Sequence, residues 1–179
     1  ARQQSAITLA LFTYMSAAVV SSSHTIWVSN MVVAKNFKEL AIVSKSLFYM
    51  IIFIEVVFAA VLILCHEWLA NSFVNDAQVV ELASSLLIIA AFFQLTDGIQ
   101  VMAMGALRGL SDVKRPTSIA LISYWVISLP GGYYLMKPMG LGAAGIWYGF
   151  LTGLSTAAVL LTLRYFLLER KLLQKNGVA

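Results

Sequence analysis

Residues 46–66 read SLFYMIIFIEVVFAAVLILCH, a run in which Glu55 is the only charged side chain. This run predicts a helix that crosses a lipid bilayer, because a membrane-spanning helix needs about 20 mostly apolar residues. The whole chain has the same character: 60% of its 179 residues are hydrophobic and 11% are charged, with a mean hydropathy of +0.86. About a quarter of the residues in a soluble domain are charged. The composition therefore excludes an ordinary water-soluble protein.

Four further stretches have the length and polarity of spanning helices. Residues 3–34, 116–136 and 138–163 contain no Lys, Arg, Asp or Glu, and residues 82–107 contain only Asp97. Because the backbone inside lipid must satisfy its own hydrogen bonds, each stretch is predicted as a helix rather than an open strand. The predicted fold class is an all-α, polytopic membrane helix bundle with five transmembrane helices. Its predicted spans are residues 6–27, 46–66, 80–107, 117–136 and 143–164.

The cations lie mostly at one end of these predicted spans. Ten of the 12 Lys and Arg residues follow the first, third or fifth span. They are Lys35, Lys38, Lys45, Arg108, Lys114, Arg115, Arg164, Arg170, Lys171 and Lys175. By the positive-inside rule this end is cytoplasmic, which predicts an external start and a cytoplasmic C-terminus. Since the first 30 residues lack a signal-peptide pattern, an external start predicts upstream helices of the same polypeptide.

Asp97 lies near the centre of the third predicted span. A charged carboxylate at that depth costs about 2.5–3.5 kcal/mol on insertion scales, so intramembrane acids are functional candidates by default. With helical spacing, Gln94, Asp97 and Gln100 share one side of the helix and predict a surface that faces the bundle interior or a water-filled cavity. The functional interpretation is a proton or sodium site. The structural alternative is an acid that pairs with another helix.

Glu55 lies at the middle of the second span, where its helical neighbours include Ile51, Phe58 and Ala59. No group on its own helix can neutralise it. It is therefore either protonated or paired across helices, and the residues leave open whether it binds a coupling cation or is simply buried in its neutral form. The sequence does not decide whether Glu55 faces Asp97.

His24 follows three serines near the inner end of the first span. Serine and histidine on one helix lack the oriented acid of a catalytic triad, so a hydrogen-bonded histidine is the preferred interpretation. The single cysteine, Cys65, and two histidines form no metal-ligand spacing, and no phosphate-binding loop is visible. No enzyme is predicted. In the fourth span, Tyr124 and Trp125 lie near the predicted membrane centre. We interpret them either as packed core residues or as side chains that face a pore.

Pro130 predicts a kink about one turn before it in the fourth span, because proline has no N–H to donate and crowds the preceding turn. Bending is the favoured consequence, and coordination of a cation by the freed carbonyl is the alternative. In the fifth span, Gly145, Gly149 and Gly153 recur every four residues. This spacing predicts a stripe of small residues over which another helix packs closely.

A series of short motifs resembles the C-terminal lobe of multidrug and toxic compound extrusion (MATE) transporters. The motifs are QLTDGIQV at 94–101, GALRG at 105–109, YW at 124–125, LP at 129–130 and GAAGIW at 142–147. Each is weak alone, but their order and register are rather specific. The likeness covers nearly the whole chain and is strongest from 93 to 153.

The resemblance implies a transporter of twelve helices in two lobes, of which residues 1–179 supply helices eight to twelve of the C-terminal lobe. It implies antiport of organic, often cationic, compounds against inward sodium or proton flow, with no other cofactor. Asp97 matches the tenth-helix acid of the C-lobe cation site, where sodium would bind. Some sodium-coupled members have a tyrosine four residues before that acid, whereas this chain has Phe93. Glu55 has no counterpart in the pattern.

We therefore expect a secondary active efflux transporter in a bacterial inner (plasma) membrane. Its expected partners are the lipid bilayer, a small organic cation and the upstream helices, without nucleic acid. The cation-coupling candidates are Asp97 and Glu55, and the candidates for pore or substrate contact are Phe93, Gln94, Gln100, Tyr124 and Trp125. The alternatives are a flippase for lipid-linked sugars of the same superfamily and a non-catalytic membrane accessory subunit.

Overall fold

The computed structural model describes residues 2–66, 68 and 77–177, which are helical almost throughout and include no strand. The helices are α1 (Arg2–Val33), α2 (Phe37–Leu64), α3 (Ala77–Gly109), α4 (Lys114–Ile122), α5 (Leu129–Met136) and α6 (Gly142–Lys175). A π-helical turn, Ser123–Ser128, joins α4 to α5. The predicted all-α membrane bundle is confirmed.

Four helical stretches of the described residues are long and apolar enough to cross a membrane. They are Phe37–Leu64, Leu87–Gly109, Lys114–Met136 and Ala144–Lys175, with hydropathies of 2.8, 1.6, 1.3 and 1.6. The predicted first span, 6–27, lies within α1, a helix of 32 residues. The chain is therefore an integral membrane protein, in which α4, the π-helical turn and α5 together form one span, the fourth.

The connection between the first two helices is shorter than the sequence suggested. In the sequence, residues 34–45 read as a short cytoplasmic connector in which Phe37, Leu40 and Ala41 could lie on one side of a surface helix, whereas α2 begins at Phe37 and continues into the second span. Asn36 caps this helix, since its side-chain oxygen accepts a hydrogen bond from the Glu39 N–H at 3.3 Å. Such a cap satisfies one of the free amides of the first turn. Phe37 and Leu40 are buried on one side, so the extra turns pack onto the bundle rather than linking two spans.

Helix α3 occupies the centre of the bundle and packs against α1, α2 and α6. The described core residues are Phe48, Ile51, Met102, Ala103, Ala106, Leu107, Leu161 and Tyr165. Alanine side chains on α3 let its neighbours approach closely, and α1 reaches the α3 backbone directly. Ser21 Oγ donates to the Val101 carbonyl and Thr25 Oγ1 to the Gly105 carbonyl, both at 2.8 Å. Small residues and hydroxyls of this kind join helices inside membranes.

The three regularly spaced glycines of α6 pack against the fourth span. A Cβ atom added to Gly145 would lie 2.6 Å from the Met136 nitrogen, and one on Gly149 would collide with the backbone of Gly132. The same contact continues at Gly153, which faces the Ser128 side chain. Backbone therefore meets backbone here, as expected from the spacing.

The break expected before Pro130 coincides with the π-helical turn. The N–H of Leu129 bonds to the carbonyl of Tyr124, five residues earlier, instead of the usual four. A π-helical turn inserts one extra residue into the helical repeat and is often found at functional sites. It rotates the side chains after Ser128 relative to those before Ser123.

Candidate functional site

Glu55 lies in the contact between α2 and α3. Its side chain is 0% exposed, and neither carboxyl oxygen has a hydrogen-bond partner among the described residues. The carboxyl group lies over Gly98 of α3, where an added Cβ atom would be 2.5 Å from Glu55 Cγ and 2.6 Å from Oε1. Glycine at 98 therefore makes the space that Glu55 fills. The motif TDGIQ gave no sign of this role, because the partner is on another helix.

Asp97 precedes Gly98 and is only partly buried. It lies close enough to Glu55 for the two carboxyl groups to repel each other when both are ionised. Gln94, one turn earlier on α3, is the polar neighbour of the Glu55 carboxyl, although it does not form a hydrogen bond of good geometry. Glu55 and Asp97 therefore lie on neighbouring helices within electrostatic range of each other.

The fourth span forms the remaining side of this site. Tyr124 donates its hydroxyl to Gln100 Oε1 at 2.8 Å, and Tyr124 also lies within electrostatic range of Asp97. Gln100 is 8% exposed. We call the five residues Glu55, Gln94, Asp97, Gln100 and Tyr124 the acid cluster. Three helical segments converge on it, and its two glutamines and two acids come from positions that the sequence had singled out.

Two predicted aromatic contacts fall outside the acid cluster. Phe93 packs edge to face against Trp147 of α6, with ring centroids 6.5 Å apart. Trp125 is 66% exposed and lies on a shallow apolar surface with Leu121 and Val126. Tyr124 and Trp125, which are adjacent in sequence, therefore point to different surroundings, so only the tyrosine joins the described site.

The acid cluster contains no cation of its own. No Lys, Arg or His side chain in the described part of the chain forms an ion pair with Glu55 or Asp97. A buried carboxylate without a partner is strongly unfavourable, so such a group binds a proton or a metal cation, or pairs with a charge. No set of three or more His, Cys, Asp and Glu side chains gathers anywhere in the residues the structure describes. A sodium ion here would need carbonyl, amide or hydroxyl oxygens beside the two acids.

A second buried polar group lies toward the basic ends of the helices, and the sequence only hinted at it. His24 is fully buried, and its Nε2 lies 3.0 Å from Ser44 Oγ of α2. Its ring meets Tyr165 of α6 edge on, with centroids 6.1 Å apart, and Glu169 is buried one turn further along α6. Ser44 and Glu169 were missed because a serine and an acid beside cations look like surface residues. His24 is a buried, hydrogen-bonded histidine that connects α1 to α2 and α6. This agrees with the interpretation preferred from the sequence.

Several known proteins resemble this chain in sequence. The MatE family model matches residues 2–134. The chain is 36% identical over 178 residues to the probable multidrug resistance protein NorM of Bacillus subtilis, covering 99% of this chain and 39% of that protein. It is 47% identical over 117 residues to the probable multidrug resistance protein NorM of Agrobacterium fabrum, covering 65% of this chain and 25% of that protein. The chain thus spans about two fifths or less of these relatives.

Solved structures resemble the fold. A multidrug resistance MATE family transporter of the MOP superfamily in an inward-facing conformation superposes with a TM-score of 0.79 at 17% identity, over 94% of this chain and 40% of that one. The eukaryotic MATE transporter AtDTX14 superposes with a TM-score of 0.74 at 19% identity, with the same coverage. At these identities the likeness concerns the helix arrangement alone.

Proposed function

Because the chain belongs to the MatE family, we propose that it forms the C-terminal lobe of a secondary active transporter that exports organic compounds in exchange for cations. The family assignment rests on a match to residues 2–134 and on relatives that align over nearly the whole chain. The names of those relatives, multidrug resistance proteins, favour drug-like substrates. The mechanism that follows is derived from the acid cluster.

The position of Asp97 within electrostatic range of the buried Glu55 supports cation coupling. Two carboxyl groups in one low-dielectric site cannot both be charged without a large repulsion, so at least one holds a cation or a proton. Glu55 is fully buried, whereas Asp97 is partly exposed. We assign Asp97 as the group that exchanges its cation with water and Glu55 as the inner acid that is protonated whenever Asp97 is ionised. Gln94 and Gln100 supply polar lining.

Coupling requires two arrangements of the bundle with different affinities for the cation. The fourth span can supply these two arrangements, because Tyr124 in its π-helical turn forms a hydrogen bond to Gln100 within the acid cluster. Occupation of the acid cluster would hold Tyr124 in place, and release would free the span to move at the break before Pro130. Organic cations would compete for the same negative region. Phe93, which meets Trp147, offers an apolar face for them.

The hydroxyl of Tyr124 bears on the choice of coupling ion. Phe93 provides no hydroxyl at the position where some sodium-coupled relatives have tyrosine, but Tyr124 brings a phenol to the neighbourhood of Asp97 from another helix. The acid cluster therefore offers carboxylate, amide and phenol oxygens, which suit a hard cation such as sodium as well as a proton. We therefore propose sodium or a proton as the coupling ion, and transport under each of the two gradients distinguishes them.

The orientation follows from charge. Ten of the 12 cations lie at the end of the bundle that contains the α1–α2 and α3–α4 connections and the end of α6. By the positive-inside rule we place this end, with the C-terminus, in the cytoplasm of a bacterial inner membrane. The acid cluster then lies within the membrane, on the external side of the His24 group.

The test is transport by the full-length protein in sealed vesicles under either a sodium gradient or a proton gradient. We expect a cationic dye to be exported under one of these gradients, and Asp97→Asn to abolish that export while the protein still inserts. Glu39→Gln is the matched control, because it makes the same chemical change on an exposed acid of α2. Export by Asp97→Asn at the parental rate would refute the assignment, and so would a loss in Glu39→Gln of the same size.

A further inference from the structure

A cavity of about 340 Å³ lies at the basic end of the bundle, away from the acid cluster. It opens between the α3–α4 connection and the last turns of α6. Four cations, Arg115, Arg164, Lys171 and Lys175, line it together with one acid, Asp112. We call this cavity the basic pocket. Nothing in the proposed transport cycle uses it.

The basic pocket has an excess of positive charge. Arg164 Nε donates to Asp112 Oδ2 at 2.6 Å, so this pair is neutral. The other three cations form no ion pair with any residue that the structure describes. Three positive charges around one cavity repel each other, and a bound anion relieves that repulsion.

The start of α4 adds to this attraction. Helix α4 begins at Lys114, and the preceding residue, Val113, provides no side-chain cap. The first amides of an uncapped helix are free to donate, and the helix dipole favours an anion there. Arg115 lies in this first turn and lines the basic pocket. Because Pro116 has no N–H, only the amides of Lys114 and Arg115 in this first turn can add to the side-chain charge.

The depth of the pocket identifies the source of the anion. The spanning stretch of α6 begins at Ala144, and about 20 residues cross the hydrocarbon core, which brings the helix to its boundary near Arg164. Lys171 lies about 10 Å further along the axis. Leu110, Leu168 and Leu172 line the same cavity. A pocket at headgroup depth that has both cations and leucines matches a phospholipid, which carries a phosphate and apolar chains.

We propose that the basic pocket binds the phosphate of an anionic phospholipid from the cytoplasmic leaflet. Basic pockets between spanning helices on that side of a membrane bind such headgroups. Arginine suits the role because its guanidinium binds phosphate through two parallel hydrogen bonds. A lipid at this position would bridge the α3–α4 connection and α6, and would thereby stabilise the packing of the fourth span.

The proposal is tested by titrating the detergent-solubilised full-length protein with phosphatidylglycerol or with phosphatidylcholine of the same acyl chains, and counting bound lipid by native mass spectrometry. Each cation near a phosphate contributes about 1 kcal/mol, or about fivefold in affinity. We expect the double variant Arg115→Gln, Lys171→Gln to bind phosphatidylglycerol roughly 25-fold more weakly. Binding of phosphatidylcholine should change little.

The control variant is Lys38→Gln, Arg170→Gln, which removes two exposed cations at the same end of the bundle but outside the pocket. An equal loss in this control would mean diffuse charge attraction and would overturn the proposal. Asp112→Asn tests it in the opposite direction, since removing the only acid of the pocket should tighten binding about fivefold, which unfolding cannot imitate. Displacement of the lipid by inorganic phosphate at equal concentration would assign the site to a soluble anion and also overturn it.

Discussion

The carboxyl group of Glu55 lies against Gly98, the residue that follows Asp97, so that an acid of α2 lies within electrostatic range of an acid of α3. Neither oxygen of Glu55 has a hydrogen-bond partner among the described residues. This relationship makes the affinity of each acid for a cation depend on the state of the other.

Gly98→Ala should disable cation binding without changing any charge. The added methyl group would lie 2.5–2.6 Å from Glu55 atoms, so the Glu55 side chain must leave its present position. We expect cation-driven export to fall on the order of tenfold, equivalent to about 1.4 kcal/mol. Shortening the acid with Glu55→Asp in the same protein should restore part of the loss. Gly131→Ala is the control, since only Thr152 Oγ1 approaches it, at 3.9 Å.

Tyr124→Phe should weaken the coupling cation while leaving the fold intact. The variant removes the hydrogen bond to Gln100 and the phenol beside Asp97. A hydrogen bond of this type contributes about 0.5–1.5 kcal/mol, so the cation concentration for half-maximal export should rise roughly two- to tenfold. Tyr134→Phe makes the same change on an exposed tyrosine of the same span and should have no effect. Equal behaviour of the two variants would remove Tyr124 from the site.

Gly149→Ala should lower stability by forcing α6 away from the fourth span. Its Cβ atom would collide with the backbone of Gly132 and lie 2.9 Å from the Ser128 carbonyl oxygen. Overpacking of this kind costs about 1–3 kcal/mol. Thermal unfolding of the purified full-length protein measures it, with Gly131→Ala again as the reference. A melting temperature no lower than that of the reference would show that the helices separate there at little cost.

The buried bond between His24 and Ser44 should appear as a coupling energy in a double-mutant cycle. His24→Ala and Ser44→Ala each remove one partner of a contact of 3.0 Å between α1 and α2. We expect a coupling of about 1 kcal/mol in the free energy of unfolding. Ser46 offers the comparison, because it is exposed and its hydroxyl donates to the Ile42 carbonyl of its own helix. A cycle between His24 and Ser46 should show no coupling.

Much of this architecture is visible along the chain alone. Long apolar runs predict spanning helices because the backbone in lipid has no other way to satisfy its hydrogen bonds. The spacing of Gly145, Gly149 and Gly153 predicted a close helix contact, and the fourth span does pack there. The continuity of α2 was not predicted, since Lys38 and Lys45 interrupt the apolar pattern although one helix runs through them into the second span.

The site itself was predicted only in pieces. Asp97, Gln94 and Gln100 share a helix face, which follows from helical periodicity, and the chain alone identified them. The meeting of Glu55 with Asp97, the position of Tyr124 against Gln100 and the separation of Trp125 from both depend on which helices are neighbours. Helix formation is a local matter of apolar length and backbone hydrogen bonding, so the sequence alone determines it. The choice of contacting faces depends on close approach between residues far apart in the chain, such as Glu55 on Gly98, and only the tertiary structure decides it.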